Sequence, residues 1–541
     1  MRIVLVNWSP LAEGAAKGGG VGGYCLALAR TLAARGHEVF HLSCGVAYTP
    51  APDSRADENS DRPGPCTTRR LADVAGVVSL EILNSPIIAP ARVQGREPAA
   101  ELAAPALDVE LRRLFALLRA DVVHFHNIEG FAATSPAAVR AASPRAALLY
   151  SLHNYHPVCP QVNLMFRDAT PCHDFDAGHL CAVCFPAPDP AAERRHRASL
   201  HRPSGPRDDP SPRASGRSWA RLLVRGRPVR LPPSPEAYAS VRTDADLAPR
   251  APSSISTSVA PARGIDPPEW LPLDNVVVPE PPNDRPPNPF GRRRAAMVDM
   301  LSAFDRVLAV SEFVHRKFEA FGVDPRVIRT LPIGCALTDA MTLGPPPPPP
   351  RAAPPIRMVF MGFNLPHKGL SMLLDSLELV PADAASRLWL EVNARDAHTL
   401  APRFAAVEPR LAGLTVRDGY DHAHLPALLA GRHLGLVPST WWDNGPQTVM
   451  EFFACGLPVL GAQLGGIPDL VRHGVNGLLH RGNDRRDLAL NLARVALEPD
   501  LLPALRAGVT PPISMADHVV ELEDVYADAI AARAGPQRMV G

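Results

Sequence analysis

No run of this sequence approaches the roughly 18–20 uncharged apolar residues that a membrane-spanning helix needs. An excess of one charge sign is missing as well: 56 Lys and Arg against 55 Asp and Glu leave a formal charge of +1. That balance removes the broad electrostatic argument for a nucleic-acid binder. Cysteine is sparse and odd in number, nine in 541 residues. The opening apolar run, Ile3–Val6, is too short for the core of a secretion signal and reads as a first strand. In such a chain the cysteines suggest free thiols or a metal site more than a disulfide framework. These absences predict a soluble, cytoplasmic protein, peripheral to a membrane at most, with no nucleic-acid partner.

Proline is abundant: 61 of 541 residues, about 11% against roughly 5% in ordinary usage. Twenty-three of them fall within residues 186–289, among Arg and Ser clusters with only short apolar runs. Such a stretch buries too little apolar surface to offset its ordering entropy, so 186–294 is predicted to be a disordered insertion, with a short helix near Trp219–Val224. Six consecutive prolines, Pro345–Pro350, predict a stiff linker over 341–355.

On either side of these breaks, apolar strand-like runs alternate with helical patterns, the signature of βαβ units and parallel sheets. Candidate strands in the first region are Ile3–Asn7, Val39–Ser43, Val122–His126, Ala147–Leu152 and Arg306–Val310. In the second they are Met358–Met361, Leu388–Val392, Leu414–Arg417, Leu434–Val437 and Pro458–Gly461. Helices are predicted over Val21–Arg35, Leu370–Leu379, Thr448–Ala454 and Asp517–Ala532. The predicted architecture is two Rossmann-like α/β domains facing a cleft. The first comprises 1–185 completed by 295–340, and the second 356–512. A last helix and tail (513–541) cross back to the first domain.

Three glycine-bearing loops follow strands. Gly18-Gly19-Gly20-Val21-Gly22-Gly23 fits G-x-G-x-x-G, but about ten residues separate it from the first strand and no carboxylate ends the second. A dinucleotide oxidoreductase is therefore a poor fit. In the second domain, Gly362–Gly369 carries Lys368, a point charge suited to a diphosphate, and Gly465-Gly466-Ile467-Pro468-Asp469 follows a later strand. Between them, Asp443 precedes and Glu451 lies within a helix that Gly456 and Pro458 stop. Two carboxylates at a strand-end crevice suit a ligand rich in hydroxyls; a solvated acidic pair at a helix start is the plainer alternative.

Taken together, these segments resemble the retaining GT-B glycosyltransferases of group 1, or family 4. The residues carrying the likeness are the N-terminal Gly-Gly-Val loop through Gly36-His37-Glu38-Val39, Ala309–Phe313, Lys368-Gly369, Asp443 through Val459, Gly465–Asp469 and Gly474–Leu478. The resemblance implies transfer of a sugar from a nucleotide-diphosphate donor to an acceptor hydroxyl of a glycan or lipid-linked molecule, with retention and with no metal required for catalysis. It implies that Glu451 binds ribose hydroxyls and Asp443 the donor sugar. Pro446, Gln447 and Thr448 would face sugar and diphosphate, and Lys368 the diphosphate. Gly19 and Gly20 would approach the phosphate from across the cleft, and His153 would face the sugar. Two departures stand out: the first acid is Asp rather than Glu, and Phe363 stands where an Arg is frequent. A GT-B scaffold that has lost catalysis and binds a partner is the alternative.

Cys159, Cys172, Cys181 and Cys184 are spaced C-x12-C-x8-C-x2-C. This set can supply four ligands to a structural zinc ion, with His156, His173 or His179 as substitutes for one; an iron–sulfur cluster is the less favoured metal reading, and four unligated thiols are the alternative. The triplet Asp174-Phe175-Asp176 lies among them and is read as surface.

Overall fold

A computed structural model of the chain describes residues 1–49, 64–91, 97–184, 277, 284–341, 355–420 and 422–534. The strands of its first sheet are β1 (Arg2–Val6), β2 (Glu38–Cys44), β3 (Thr67–Arg70), β4 (Val78–Leu83), β5 (Val122–Phe125), β6 (Ala147–Leu152), β9 (Arg306–Ala309) and β10 (Ile328–Thr330). They lie in the order β10-β9-β6-β5-β1-β2-β4-β3, and every pairing is parallel except β3 with β4. A separate hairpin joins β7 (Met165–Phe166) to β8 (Thr170–Pro171).

The second sheet holds β11 (Ile356–Phe363), β12 (Leu388–Arg395), β13 (Gly413–Arg417), β14 (Leu434–Val437), β15 (Val459–Ala462) and β16 (Gly477–His480). Its order, β13-β12-β11-β14-β15-β16, is wholly parallel. This is the doubly wound 3-2-1-4-5-6 arrangement, whose order reverses between β11 and β14. Strands buried on both faces explain the uninterrupted apolar runs Ile3–Val6 and Leu434–Val437.

One apolar cluster fills the first domain and continues through Trp441, Trp442, Val449 and Phe452 into the second. A second cluster covers the other side of the second sheet, around Leu373, Leu390 and Leu492. The helix Met515–Ala534 packs back on the first domain: Tyr24 and His518 share a hydrogen bond of 2.7 Å, and Glu523 accepts from Arg35 at 2.7 Å.

Several expectations change. The insertion drawn to 294 stops short of that residue, because the helix Pro289–Ser302 begins inside it. Asn288 caps that helix, accepting from the amides of Phe290 and Gly291. Two arginines of that helix are buried: Arg293 donates from Nε and Nη2 to Glu101 Oε2 and also meets His156, at 3.0 Å. The expected helix near Trp219–Val224 and the Pro345–Pro350 spacer lie outside the described residues. The first helix begins at Gly14 rather than Val21, and its break at Gly19 (φ 57°, ψ −151°) puts the glycine cluster inside a helical stretch.

Candidate active site

The switch point of the second sheet gathers the second-domain residues. Lys368 ends a short turn after β11, and Ser439–Gly445 follows β14. The two loops cross so closely that a Cβ on Gly369, whose φ is +74°, would stand 1.7 Å from the Pro438 carbonyl oxygen. Only glycine supplies both the left-handed backbone and the clearance. Across the same crossing, Thr440 donates its amide to His367 O at 3.0 Å and its hydroxyl to Pro366 O at 3.2 Å.

This crossing sets Lys368 Nζ 3.1 Å from Asp443 Oδ2. The pair is partly solvated, so its worth to stability is small; what it fixes is position. Trp441 and Trp442 form the adjoining wall. Of the three lysines in the chain, Lys17, Lys317 and Lys368, Lys368 lies 5.2 Å above the Trp441 ring and Lys317 4.6 Å above that of Trp442. The loop after β15 presses on the same point: Gly466 donates its amide to Asp443 O at 2.7 Å, and a Cβ on Gly465 (φ +60°) would be 2.4 Å from Asp443 N and O.

Pro446 immediately precedes the helix Gln447–Ala454, with Thr448 half-buried in its first turn. Gln447 reaches across the cleft and donates from Nε2 to Gly20 O at 3.0 Å, so the N-terminal glycine cluster and the helix start are in contact. Gly19, whose φ is positive, ends the preceding helical segment and begins the next. Nearby, Asn444 Nδ2 donates to Leu152 O at 3.5 Å, and Asp469 Oδ2 accepts from the amides of Glu312 and Phe313 at 2.7 and 3.4 Å. Three polar links thus span the two domains beside Asp443.

Glu451, one turn further along its helix, is buried, and burial pushes its carboxyl up to about 8. His422 Nε2 lies 3.5 Å from its Oε1, a neighbour the sequence did not point to. Phe363 is opposite Arg395 in the β11–β12 register, and the Arg395 guanidinium sits 5.2 Å from the Phe363 ring centre. A cation therefore stands beside the position where the sequence shows a missing arginine.

His153 ends β6 and belongs to a cluster that sequence reasoning missed. Its Nε2 is 3.1 Å from His126 Nδ1, and its ring is 4.9 Å from that of Tyr24. His124 is held by Ser151 and by Tyr526, each at 2.8 Å, while His41 is buried with neither ring nitrogen hydrogen-bonded. Burial, reinforced by neighbouring imidazoles, lowers His124 and His126, and takes His153 to about 3.

Cys159, Cys172, Cys181 and Cys184 line one cavity together with Leu164, Met165 and Arg294. None of the three histidines offered as substitutes lines it. His156 is paired with Glu101 and Arg293, His173 packs edge-on to Trp442 at 4.8 Å, and His179 faces Pro286 O. Asp174-Phe175-Asp176 is half-buried rather than surface: Asp176 is ion-paired with Arg285, and Phe175 is covered by the Arg294 guanidinium.

Two facing Rossmann-like domains with a charged crevice at a sheet's switch point define the GT-B class. Residues 18–170 match the family model described as Glycosyltransferase Family 4, and residues 355–497 that described as Glycosyl transferases group 1. The chain belongs to this glycosyltransferase family. A D-inositol 3-phosphate glycosyltransferase of Geodermatophilus obscurus is 30% identical over 217 residues, 37% of this chain and 47% of that protein. The chain spans less than half the length of the curated relatives it matches. Among solved structures, sucrose-phosphate synthase of Thermosynechococcus elongatus superposes with a TM-score of 0.53 at 14% identity, covering 98% of this chain and 100% of that one. Anabaena HepE in complex with UDP gives 0.52 at 14% identity, with the same coverage. No helix among the described residues is long and apolar enough to cross a membrane.

Proposed function

We propose that this chain transfers a sugar from a nucleotide-diphosphate donor to an acceptor hydroxyl of a glycan or lipid-linked molecule, with retention of anomeric configuration. The observation that carries the reading is the pairing of Lys368 with Asp443 at the switch point of the second sheet, 3.1 Å apart. An ammonium beside a carboxylate matches a donor that is anionic at its diphosphate and hydroxylated at its sugar. Relatives named as glycosyltransferases and a fold relative solved with UDP support the same class.

In this reading the diphosphate displaces Asp443 as the partner of Lys368, and the released carboxylate accepts from sugar hydroxyls. Charge builds on the leaving diphosphate as the glycosidic bond breaks. A fixed ammonium and the free amides at the start of Gln447–Ala454 offset it without reorganisation. Arg395 supplies a second cation from the β12 end. Gly19 and Gly20, lacking side chains, let backbone approach the phosphate from the first domain, and Gln447 and Thr448 line its path. Glu451 accepts from the ribose hydroxyls. His153, kept neutral, offers a ring nitrogen to the sugar rather than a positive charge.

The test is transfer and donor hydrolysis across a panel of nucleotide sugars, with wild type and Glu451→Ala. Turnover with at least one donor that falls by about 100-fold or more in the variant supports the reading. Absence of turnover with every donor favours a scaffold that has lost catalysis.

A further inference from the structure

Between β6 and the helix Pro289–Ser302, the described residues 159–184 have little regular structure. They contain a hairpin of two-residue strands and the helix His179–Cys184, which buries none of its residues. Six of these residues outside glycine have positive φ: Val162, Leu164, Arg167, Asp168, Asp176 and Ala177. Small units of this kind are commonly held by a metal or a cross-link. The four cysteines of the segment come from its turn, its hairpin and its helix, and converge on a single cavity.

Hydrogen-bond donors already surround two of the four sulfurs. Arg167 N is 3.1 Å and Gln161 Nε2 2.7 Å from Cys184 Sγ. The amides of Gln161 and Leu164 point at Cys159 Sγ. Amides aimed at sulfur stabilise a thiolate more than a thiol, and such bonds form the outer shell of metal–thiolate sites. Arg294, which lines the cavity, places a positive charge where four thiolates around a divalent ion would leave a net negative one.

We propose that Cys159, Cys172, Cys181 and Cys184 bind one zinc ion as a closed tetrathiolate site. Four protein ligands leave no position for substrate, so the ion is structural. Ligation requires the sulfurs to draw together, since among the described residues no three of them lie within 4.8 Å of one another. The pinned segment carries His173 against Trp442, next to Asp443, so the ion would steady one wall of the cleft. The site stands independently of the donor chemistry.

The experiment is elemental analysis of the full chain purified without chelator, followed by mercurial titration with a zinc-responsive dye and by cobalt substitution. About one zinc per chain, released as four thiols are modified, is expected. The cobalt(II) protein should show the intense visible bands of tetrahedral thiolate ligation. Cys181→Ser/Cys184→Ser should lose the zinc at least tenfold; if that variant does not fold, the wild-type stoichiometry and cobalt spectrum decide alone. Zinc-free protein with four titratable thiols, a disulfide among the four, or an iron chromophore would overturn the assignment.

Discussion

Gln447 and Gly20, 427 positions apart, meet across the cleft at 3.0 Å, side-chain amide to backbone carbonyl. A Cβ placed on Gly20 would sit 3.0 Å from Gln447 Oε1, so a side chain there obliges the Gln447 amide to give way. The prediction separates bond from space. Gln447→Ala removes one partly solvated hydrogen bond and should change stability by no more than about 1 kcal/mol. Gly20→Val inserts a branched side chain into the approach and should lower turnover at least tenfold. Steady-state kinetics with thermal melting of both variants checks this; full activity in Gly20→Val contradicts it.

Gly369→Ala should be the most damaging small substitution near the site. The added methyl meets the Pro438 carbonyl at 1.7 Å, and the backbone is left-handed, so the loops carrying Lys368 and Asp443 must separate. A loss of about 2 kcal/mol or more in denaturant unfolding is expected, together with loss of turnover. A variant as stable as wild type would show that the crossing is not rigid.

Donor binding should depend on pH through Glu451. Burial raises its folded value to about 8 from 4.5, so the ligand-free protein holds the carboxyl neutral at pH 7. Whatever stability that burial allows is full below the unfolded value and is lost as pH rises through 8. Ribose hydroxyls donate to the ionised form, so binding releases a proton. Affinity should then rise with pH up to about 8, by at most about tenfold per unit, and level off above it. Calorimetric titration across pH 6–9 measures this, with Glu451→Gln expected to flatten the profile; a flat wild-type curve contradicts the assigned role.

The histidine cluster predicts acid sensitivity of the opposite sign. His41 and His153 are lowered to about 3 and His518 to about 4, in each case chiefly by burial, with His124 and His126 lowered as well. A depressed histidine contributes stability that is present above its unfolded value near 6.5 and lost as pH falls toward the folded one. Each contributes a slope of about 1.4 kcal/mol per pH unit in that window. Urea unfolding at pH 7 and pH 5 should show a marked drop; equal midpoints would mean the cluster is protonated or open at neutral pH.

The central strands were legible because parallel strands covered on both faces read as plain apolar runs, as in Ile3–Val6 and Leu434–Val437. The edge strand β3 was not: Thr67–Arg70 is polar, and Arg69 finds its place only by pairing with buried Glu81. The helix Pro289–Ser302, which begins inside the predicted insertion, was hidden for a related reason: Glu101, the partner of its buried Arg293, is 192 positions away. At the site, Lys368, Asp443 and Glu451 could be named because each is adjacent to a strand end or helix start in sequence. His153 was named from the family likeness, but its grouping with His41, His124, His126 and His518 could not be, because nothing in their spacing brings them together. Arg395 beside Phe363 likewise depends on strand register.

The most direct test of the central claim is a thermal-shift titration with a panel of nucleotide sugars, run on wild type, Lys368→Ala and Glu451→Ala. A ligand selective for the native state raises the melting temperature with its concentration. We predict that at least one nucleotide sugar shifts the wild type and that the shift is lost in both variants. A wild type unmoved by every donor, or a shift that survives both substitutions, would contradict a donor site built on Lys368, Asp443 and Glu451.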